Sequence, residues 1–152
     1  MPARTKKIES TTITLPYRWR ARPYQFPIYD AIVNKGILRA VGVWHRRGGK
    51  DLTFVNITAT KMAQRKGIYY YFFPTYGQGK KILWDGMTKD GTKFLDYIPE
   101  QITTKKNDTE MKIEIVNGSI LQVVGTDNFD SIISSVTMRL PSKSVVSSTV
   151  RT

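Results

Sequence analysis

The 152-residue chain contains no cysteine and a single histidine, His45. Without cysteine it can form neither disulfides nor thiolate metal sites. One histidine excludes His-rich metal clusters and most Ser/His/Asp arrangements, and no Gly-x-Ser-x-Gly segment is present to carry a nucleophilic serine. The sequence therefore argues against cysteine-based metal sites and serine hydrolysis.

Long apolar runs are also missing. The longest, Ile68 to Phe73, is far shorter than the ~20 residues that a membrane-spanning helix needs. The N-terminus is basic but lacks the apolar core of a secretory signal. We therefore expect a cytoplasmic protein without a membrane partner, and the length suits one domain with a sizeable core.

Acidic residues are scarce, with 12 Asp and Glu against 24 Lys and Arg, for a net charge of +12. The excess lies in residues 1–50, which hold 11 basic and 2 acidic side chains. Such a balance favours phosphate-bearing partners, either nucleotides or nucleic acid. A merely soluble basic surface is the alternative interpretation.

The first half of the chain predicts an α/β fold. A helix beginning at Pro27 and ended by Gly36 precedes an apolar strand, Ile37 to Val43. The next segment, Asp51 to Arg65, has helical spacing, and Ile68 to Phe73 is apolar on both faces, as in a central parallel strand. Strand, helix and strand in this order predict a parallel sheet.

The second half predicts a helical segment from Gln78 to about Met87, one more turn over Phe94 to Ile98 and a polar linker over residues 101–109. Alternating apolar residues flank Asn117-Gly118, which predicts a β-hairpin with a two-residue turn. Residues 1–15 are predicted to form a flexible basic arm. Residues 134–152 are rich in serine and lack acids, which predicts a disordered tail.

The segment Trp44-His45-Arg46-Arg47-Gly48-Gly49-Lys50-Asp51 lies where the predicted strand turns into the predicted helix. Backbone N–H groups and the positive end of a helix dipole suit phosphate there. Against G-x-x-x-x-G-K-[ST], Gly49 and Lys50 match, whereas Trp44 replaces the first glycine and Asp51 replaces the hydroxyl residue. The candidate phosphate ligands are Gly48, Gly49 and Lys50; a basic surface turn with a glycine pair is the alternative.

Aromatic and arginine residues interleave upstream of this segment, from Pro16 to Gln25. Aromatic rings and guanidinium planes both stack on bases, so this composition suits an adenine ring or a single strand. Packing of these aromatic residues in a core is the alternative.

In this order the segments resemble the start of the ATPase domain of tailed-bacteriophage terminase large subunits, the motors that package viral DNA into proheads. The resemblance covers about residues 16–133. Pro23-Tyr24-Gln25 resembles the adenine-recognising Q motif, and Trp44 to Asp51 resembles the deviant Walker A, in which an arginine at the position of Arg46 is usual. Pro74-Thr75-Tyr76, Asn117-Gly118-Ser119 and Gly125-Thr126-Asp127-Asn128 resemble later segments, of which the last two lead toward Walker B.

The resemblance implies an incomplete P-loop NTPase-like parallel sheet with flanking helices, plus the hairpin, over residues 16–133. It implies ATP and Mg²⁺ as cofactors, with Lys50 and Arg46 acting on the phosphates and Tyr24 and Gln25 on adenine. The nucleotide site would comprise Tyr24, Gln25, Trp44, His45, Arg46, Arg47, Gly48, Gly49, Lys50 and Asp51. Asp51 is the candidate Mg²⁺ ligand, and a helix N-terminal acid that complements the dipole is its alternative.

The implied partners are double-stranded DNA, portal protein and the small terminase subunit, in a bacterial cell that carries the phage or prophage. One departure matters, because in the family an apolar strand ending in an acidic pair follows the Gly-Thr-Asp-Asn stretch. Here no Asp or Glu follows Asp130, and we expect the nuclease domain of the family to be missing too. We therefore expect a truncated chain, with residues 134–152 disordered or frame-shifted, that binds ATP without efficient hydrolysis. The competing hypothesis is a non-enzymatic basic phage module that contacts DNA or protein.

Overall fold

The computed structural model describes residues 18–128 and 144–147, the last four through their backbone. The α-helices are α1 (Phe26–Val33), α2 (Lys50–Gln64) and α3 (Tyr76–Gly79). A π-helical turn, Lys80–Trp84, continues α3, and 3₁₀ turns cover Phe94–Tyr97, Glu100–Ile102 and Thr126–Asn128. The strands are β1 (Ile68–Phe73), β2 (Thr103–Asn107), β3 (Lys112–Ile115), β4 (Ile120–Gly125) and β5 (Ser144–Ser147).

The two longer helices lie where the sequence predicted them. Pro27 lies in the first turn of α1, where its missing N–H group has no intrahelical partner to lose. The end of α1 is fixed to α2, because the Lys61 ammonium donates a hydrogen bond to the Val33 carbonyl at 3.2 Å. The helical segment after β1 and the turn before Pro99 are also present, although the former ends at Trp84.

The strands form one mixed sheet in the order β2-β3-β4-β1-β5. Strand β1 pairs in parallel with both β4 and β5, so it is central, as its two apolar faces predicted. The β2-β3 and β3-β4 pairs are antiparallel. The fold is therefore α/β with flanking helices, as predicted. Its sheet is mixed, because the parallel strands β4, β1 and β5 are joined by an antiparallel half that contains the predicted hairpin and also β2.

The predicted hairpin is confirmed as the β3-β4 pair, but its connection is longer than predicted. Glu114 pairs with Ile120, and the Ile115 N–H donates to the Ser119 carbonyl at 2.9 Å. The connection between the ends of β3 and β4 therefore has four residues, 116–119, rather than two. It lies against the end of α2, since the Asn117 side-chain amide and the Ser119 hydroxyl both donate to the Met62 carbonyl, at 2.6 and 3.0 Å.

Helix α2 runs antiparallel to β1. The Tyr69 hydroxyl donates to carbonyl oxygens near the C-terminal end of α2, those of Lys61 and Arg65. The Tyr71 hydroxyl, two residues further along β1, donates to the Asp51 carboxylate at the N-terminal end of α2. The loop that precedes α2 therefore lies toward the carboxyl edge of the parallel strands, where ligands of open α/β sheets bind.

The predicted strand Ile37 to Val43 is not a strand in the structure. Three of its apolar side chains lie in solvent: Leu38, Val41 and Val43 are between 88% and 90% exposed. Gly42, between them, faces the Ile28 side chain of α1. Residues 37–41 are all exposed and pair with none of the described strands, and a strand forms only with a hydrogen-bonded neighbour.

The predicted polar linker over residues 101–109 is also wrong, because it contains β2 and the turn that joins β2 to β3. Side-chain contacts from the helical segment order this region. The Trp84 indole donates to the Asp108 carboxylate at 2.8 Å, and the Tyr76 hydroxyl donates to the Thr109 carbonyl at 2.7 Å. The hydrogen bond from Trp84 is the largest of the interactions that lower the pKa of the Asp108 carboxyl group.

The predictions for both chain ends lie mostly outside the described residues. The basic arm, 1–15, lies wholly outside them. Of the predicted disordered tail, only 144–147 are described, and their backbone pairs with β1. Within the described part of the chain, no helix has the length and apolar character needed to cross a membrane.

We predict that Ser119→Ala lowers the free energy of unfolding by about 1–2 kcal/mol, because it removes a fully buried hydroxyl that bonds the end of α2. Thr104→Ala is the control, at an exposed position of edge strand β2, and should change it by less than ~0.5 kcal/mol. Urea unfolding of both variants measures the difference. Equal effects would contradict the capping role of Ser119.

Candidate functional site

Residues 44–49 form a loop that leads directly into α2. The Gly48 N–H donates to the His45 carbonyl at 3.1 Å, which closes a turn. Arg47 and Gly49 both have left-handed backbone conformations, with φ of 69° and 70°. The segment is a loop that leads into a helix, but the strand predicted before it is absent, so the predicted strand-to-helix turn is present only in its second half.

The N-terminus of α2 has no side-chain cap. Gly49 is the N-cap residue and carries no side chain, and the first helical bond runs from Thr53 N–H to the Gly49 carbonyl. The N–H groups of Lys50, Asp51 and Leu52 donate to no backbone or side-chain acceptor among the described residues. The first turn of α2 therefore presents three N–H groups at the positive end of the helix dipole.

Tyr24 and Gln25 lie beside this loop, as predicted, although they are more than 20 residues upstream. The Gln25 amide nitrogen donates to the Gly48 carbonyl at 2.8 Å. The Tyr24 hydroxyl donates to the same oxygen at 3.1 Å. Gln25 is only 3% exposed, whereas Tyr24 is 40% exposed. The adenine roles of both residues stay predictions.

Three aromatic side chains surround the base of the loop. Trp44 stacks on Phe54 of α2, with ring centroids 6.1 Å apart. Tyr24 contacts Trp44 edge-on at 6.0 Å and lies 6.2 Å from the His45 ring. Trp44 is partly buried and packs against the core, while the exposed Tyr24 and His45 rings remain on the surface.

The basic side chains of the loop face solvent. Arg46 and Arg47 are exposed, and Lys50 is partly exposed at the first position of α2. None of the three forms an ion pair with an acidic side chain of the described residues. Their predicted phosphate roles are therefore not blocked by a protein carboxylate.

Asp51 lies in the first turn of α2 and accepts a hydrogen bond from the Tyr71 hydroxyl at 3.2 Å. Its place in the first turn suits an acid that complements the helix dipole. Its hydrogen bond from Tyr71 also fastens α2 to β1. Sequence reasoning missed Tyr71 as a site residue, although its place in a central strand that ends beside the loop was the available signal. The metal role of Asp51 stays a prediction.

Two other segments of the resemblance meet at the carboxyl edge of β1 and β4. The Thr126 hydroxyl donates to the Pro74 carbonyl at 3.0 Å. A Cβ on Gly125 would collide with the backbone of Thr75 and Tyr76 and with the Asp127 carboxylate. The third segment, Asn117-Gly118-Ser119, caps the far end of α2 instead. It is therefore a structural element, away from the phosphate loop.

Comparison with known proteins adds no relative: no protein-family model, curated protein or solved structure matches the chain.

We predict that Gly49→Ala destabilises the protein more than Gly36→Ala. Both residues have positive φ, 70° and 65°, so both variants lose about 1 kcal/mol to backbone strain. A Cβ at Gly49 would in addition lie 3.0 Å from the Gln25 amide nitrogen, whereas one at Gly36 meets nothing within 4 Å. Thermal melts of the two variants compare them, and a larger loss for Gly36→Ala would contradict the packing of Gln25 against the loop.

Proposed function

We propose that this chain binds ATP at the loop 44–50, as the nucleotide-binding part of a terminase-type motor that packages viral DNA. One observation carries the proposal. A buried glutamine from a distant segment holds the carbonyl of Gly48, while the first three N–H groups of α2, those of Lys50, Asp51 and Leu52, have no protein acceptor among the described residues. Such open N–H groups at a helix N-terminus suit the phosphates of a nucleotide.

Each part of the loop has a role in this proposal. The phosphate cradle consists of the N–H groups of the first turn of α2 and the Gly48-Gly49 pair. Glycine is needed at both positions, because a side chain at either would meet loop or Gln25 atoms. Lys50 neutralises the β- and γ-phosphates, and Arg46 faces the γ-phosphate. The exposed Tyr24 and His45 rings offer a surface on which the base stacks, and the resemblance also assigns Gln25 to adenine.

The described residues do not fit a Mg²⁺ site by themselves. No group of three or more acidic or histidine side chains that could hold a metal occurs within residues 18–128. The acid nearest the loop, Asp51 of α2, accepts a hydrogen bond from Tyr71 on one of its two carboxylate oxygens and offers at most one ligand atom beside it. Because Mg²⁺ needs near-octahedral oxygen coordination, the ion that accompanies ATP would depend on phosphate and water oxygens.

We propose binding with little turnover. Hydrolysis also requires a carboxylate that orients the attacking water. Asp51 is bonded to Tyr71, and the Asp127 carboxylate folds back over Gly125. In this arrangement neither acid takes that role, so turnover falls far below the ~1 s⁻¹ at the low end for kinases.

In a motor, double-stranded DNA, portal protein and a small terminase subunit would be the partners.

A second candidate function is a non-enzymatic module that binds DNA or protein. The observation in its favour is the net charge of +12, together with exposed arginines at and beside the loop, such as Arg22, Arg46 and Arg47. A field of this kind attracts any phosphate backbone, with strong dependence on salt.

We predict that Lys50→Ala raises the dissociation constant for a fluorescent ATP analogue by about 10- to 100-fold, the equivalent of a lost charge-assisted hydrogen bond. Lys89→Ala, in an exposed turn, removes the same charge and should leave the constant nearly unchanged. DNA binding of both variants, measured at two salt concentrations, should fall only slightly. Salt-sensitive DNA binding without any nucleotide binding would favour the second candidate function.

A further inference from the structure

Gln25 uses both ends of its side-chain amide on protein atoms. Its nitrogen donates to the Gly48 carbonyl at 2.8 Å, and its oxygen accepts from the Arg22 backbone N–H at 3.0 Å. A glutamine amide has one donor end and one acceptor end, and each end faces a group of the opposite kind. The side chain is 3% exposed, so it lies among protein atoms rather than on a ligand surface.

These two bonds join the residues before α1 to the turn before α2. Arg22 precedes α1, and its carbonyl also accepts from the N–H groups of Gln25 and Phe26. Gly48 is buried and closes the loop turn by its bond to His45. Gln25 therefore holds the Gly48 carbonyl toward the protein, and the left-handed Gly49 then starts α2 with its N–H groups open.

We infer that Gln25 is a positioning residue that sets the conformation of the phosphate loop, and that it does not read the base. This inference rests on the proposed nucleotide site. A residue that reads adenine contributes only when the base is present. A residue that holds the loop contributes to every ligand that carries the phosphates, whichever base is attached.

Tyr24 provides an internal comparison, because it donates to the same Gly48 oxygen at 3.1 Å. Its hydroxyl lies on a side chain that is 40% exposed, so water can replace its hydrogen bond when it is removed. The bond from Gln25 is buried and shorter, at 2.8 Å, so water cannot replace it, and only the longer bond from Tyr24 would still hold the Gly48 carbonyl. Gln25 should therefore contribute more to the loop than the Tyr24 hydroxyl does.

The expected change in the dissociation constant follows from the fraction of molecules whose loop is competent to bind. If removal of the bond lowers the fraction of molecules with a competent loop to about one tenth, the apparent dissociation constant rises about tenfold for any ligand of that loop. The rise is the same for tripolyphosphate, ATP and GTP. Base reading would instead raise the constant for ATP alone.

The experiment is calorimetric titration of the full chain with tripolyphosphate, ATP and GTP, each with Mg²⁺. Gln25→Met keeps the side-chain length without its hydrogen bonds, and Gln25→Glu keeps the acceptor for the Arg22 N–H but loses the donor to Gly48. Asn34→Ala, at the other end of α1, removes a single exposed hydrogen bond to Asp30 and is the control. Thermal melts of every variant ensure that titrations are made on folded protein.

We expect Gln25→Met and Gln25→Glu to weaken all three ligands by about tenfold and by equal factors, Tyr24→Phe by less, and Asn34→Ala not at all. Weakening of ATP alone, with tripolyphosphate unaffected, would overturn the inference in favour of base reading. Lower melting temperatures with unchanged dissociation constants would overturn it in favour of a purely structural residue. If the unaltered chain bound none of the ligands, the proposed function itself would fail.

Discussion

The packing of α2 between the sheet and the segment before it is the constraint on which the rest of the structure depends. Every residue from Thr53 to Ala59 is buried, which is unusual for a helix in a small domain and means that it is covered on more than one side. Its polar residues in this stretch, Thr53, Asn56 and Thr58, turn their side chains back to carbonyls of the helix itself. These hydrogen bonds offset the burial of the two hydroxyls and of the Asn56 amide nitrogen, whereas the Asn56 Oδ1 atom is buried with no partner among the described residues.

Both ends of α2 are fixed by groups from distant parts of the chain. At the C-terminal end, Asn117 and Ser119 of the hairpin connection bond the Met62 carbonyl. At the N-terminal end, Tyr71 bonds Asp51, and Gln25 bonds the loop carbonyl just before the helix. The N–H groups of the first turn are then the part of α2 that remains available to a ligand. The binding role that we propose thus follows from how the helix is held.

The sequence predicted what depends on local pattern. Residues 68–73 have the apolar character of a central strand, and Pro27 and Gly36 mark the two ends of the first helical region, so these elements were predicted correctly. The proximity of Gln25 to the loop was predicted from the resemblance and the return of the chain. The hydrogen bond from the Gln25 side chain to Gly48 could not be predicted, because the two residues are 23 positions apart and their contact depends on packing.

The two wrong predictions of secondary structure have a common cause in strand pairing. The segment 37–43 has a strand-like pattern, but a strand needs a neighbour, and none of the described strands lies beside it. Conversely, Thr103–Asn107 has a polar sequence and is nevertheless β2, because β3 offers it an open edge. Tyr71 was missed as a site residue since its contact with Asp51 depends on the direction of α2 across β1.

The central claim is that the open N–H groups at the start of α2 bind phosphate. Amide chemical shifts of ¹⁵N-labelled protein, followed during titration with tripolyphosphate, test it directly. We predict that the largest saturable changes occur at Gly49, Lys50, Asp51 and Leu52, with little change at the exposed Lys105 and Lys106 of β2. Larger changes at β2, with the four loop and helix amides unmoved, would contradict it.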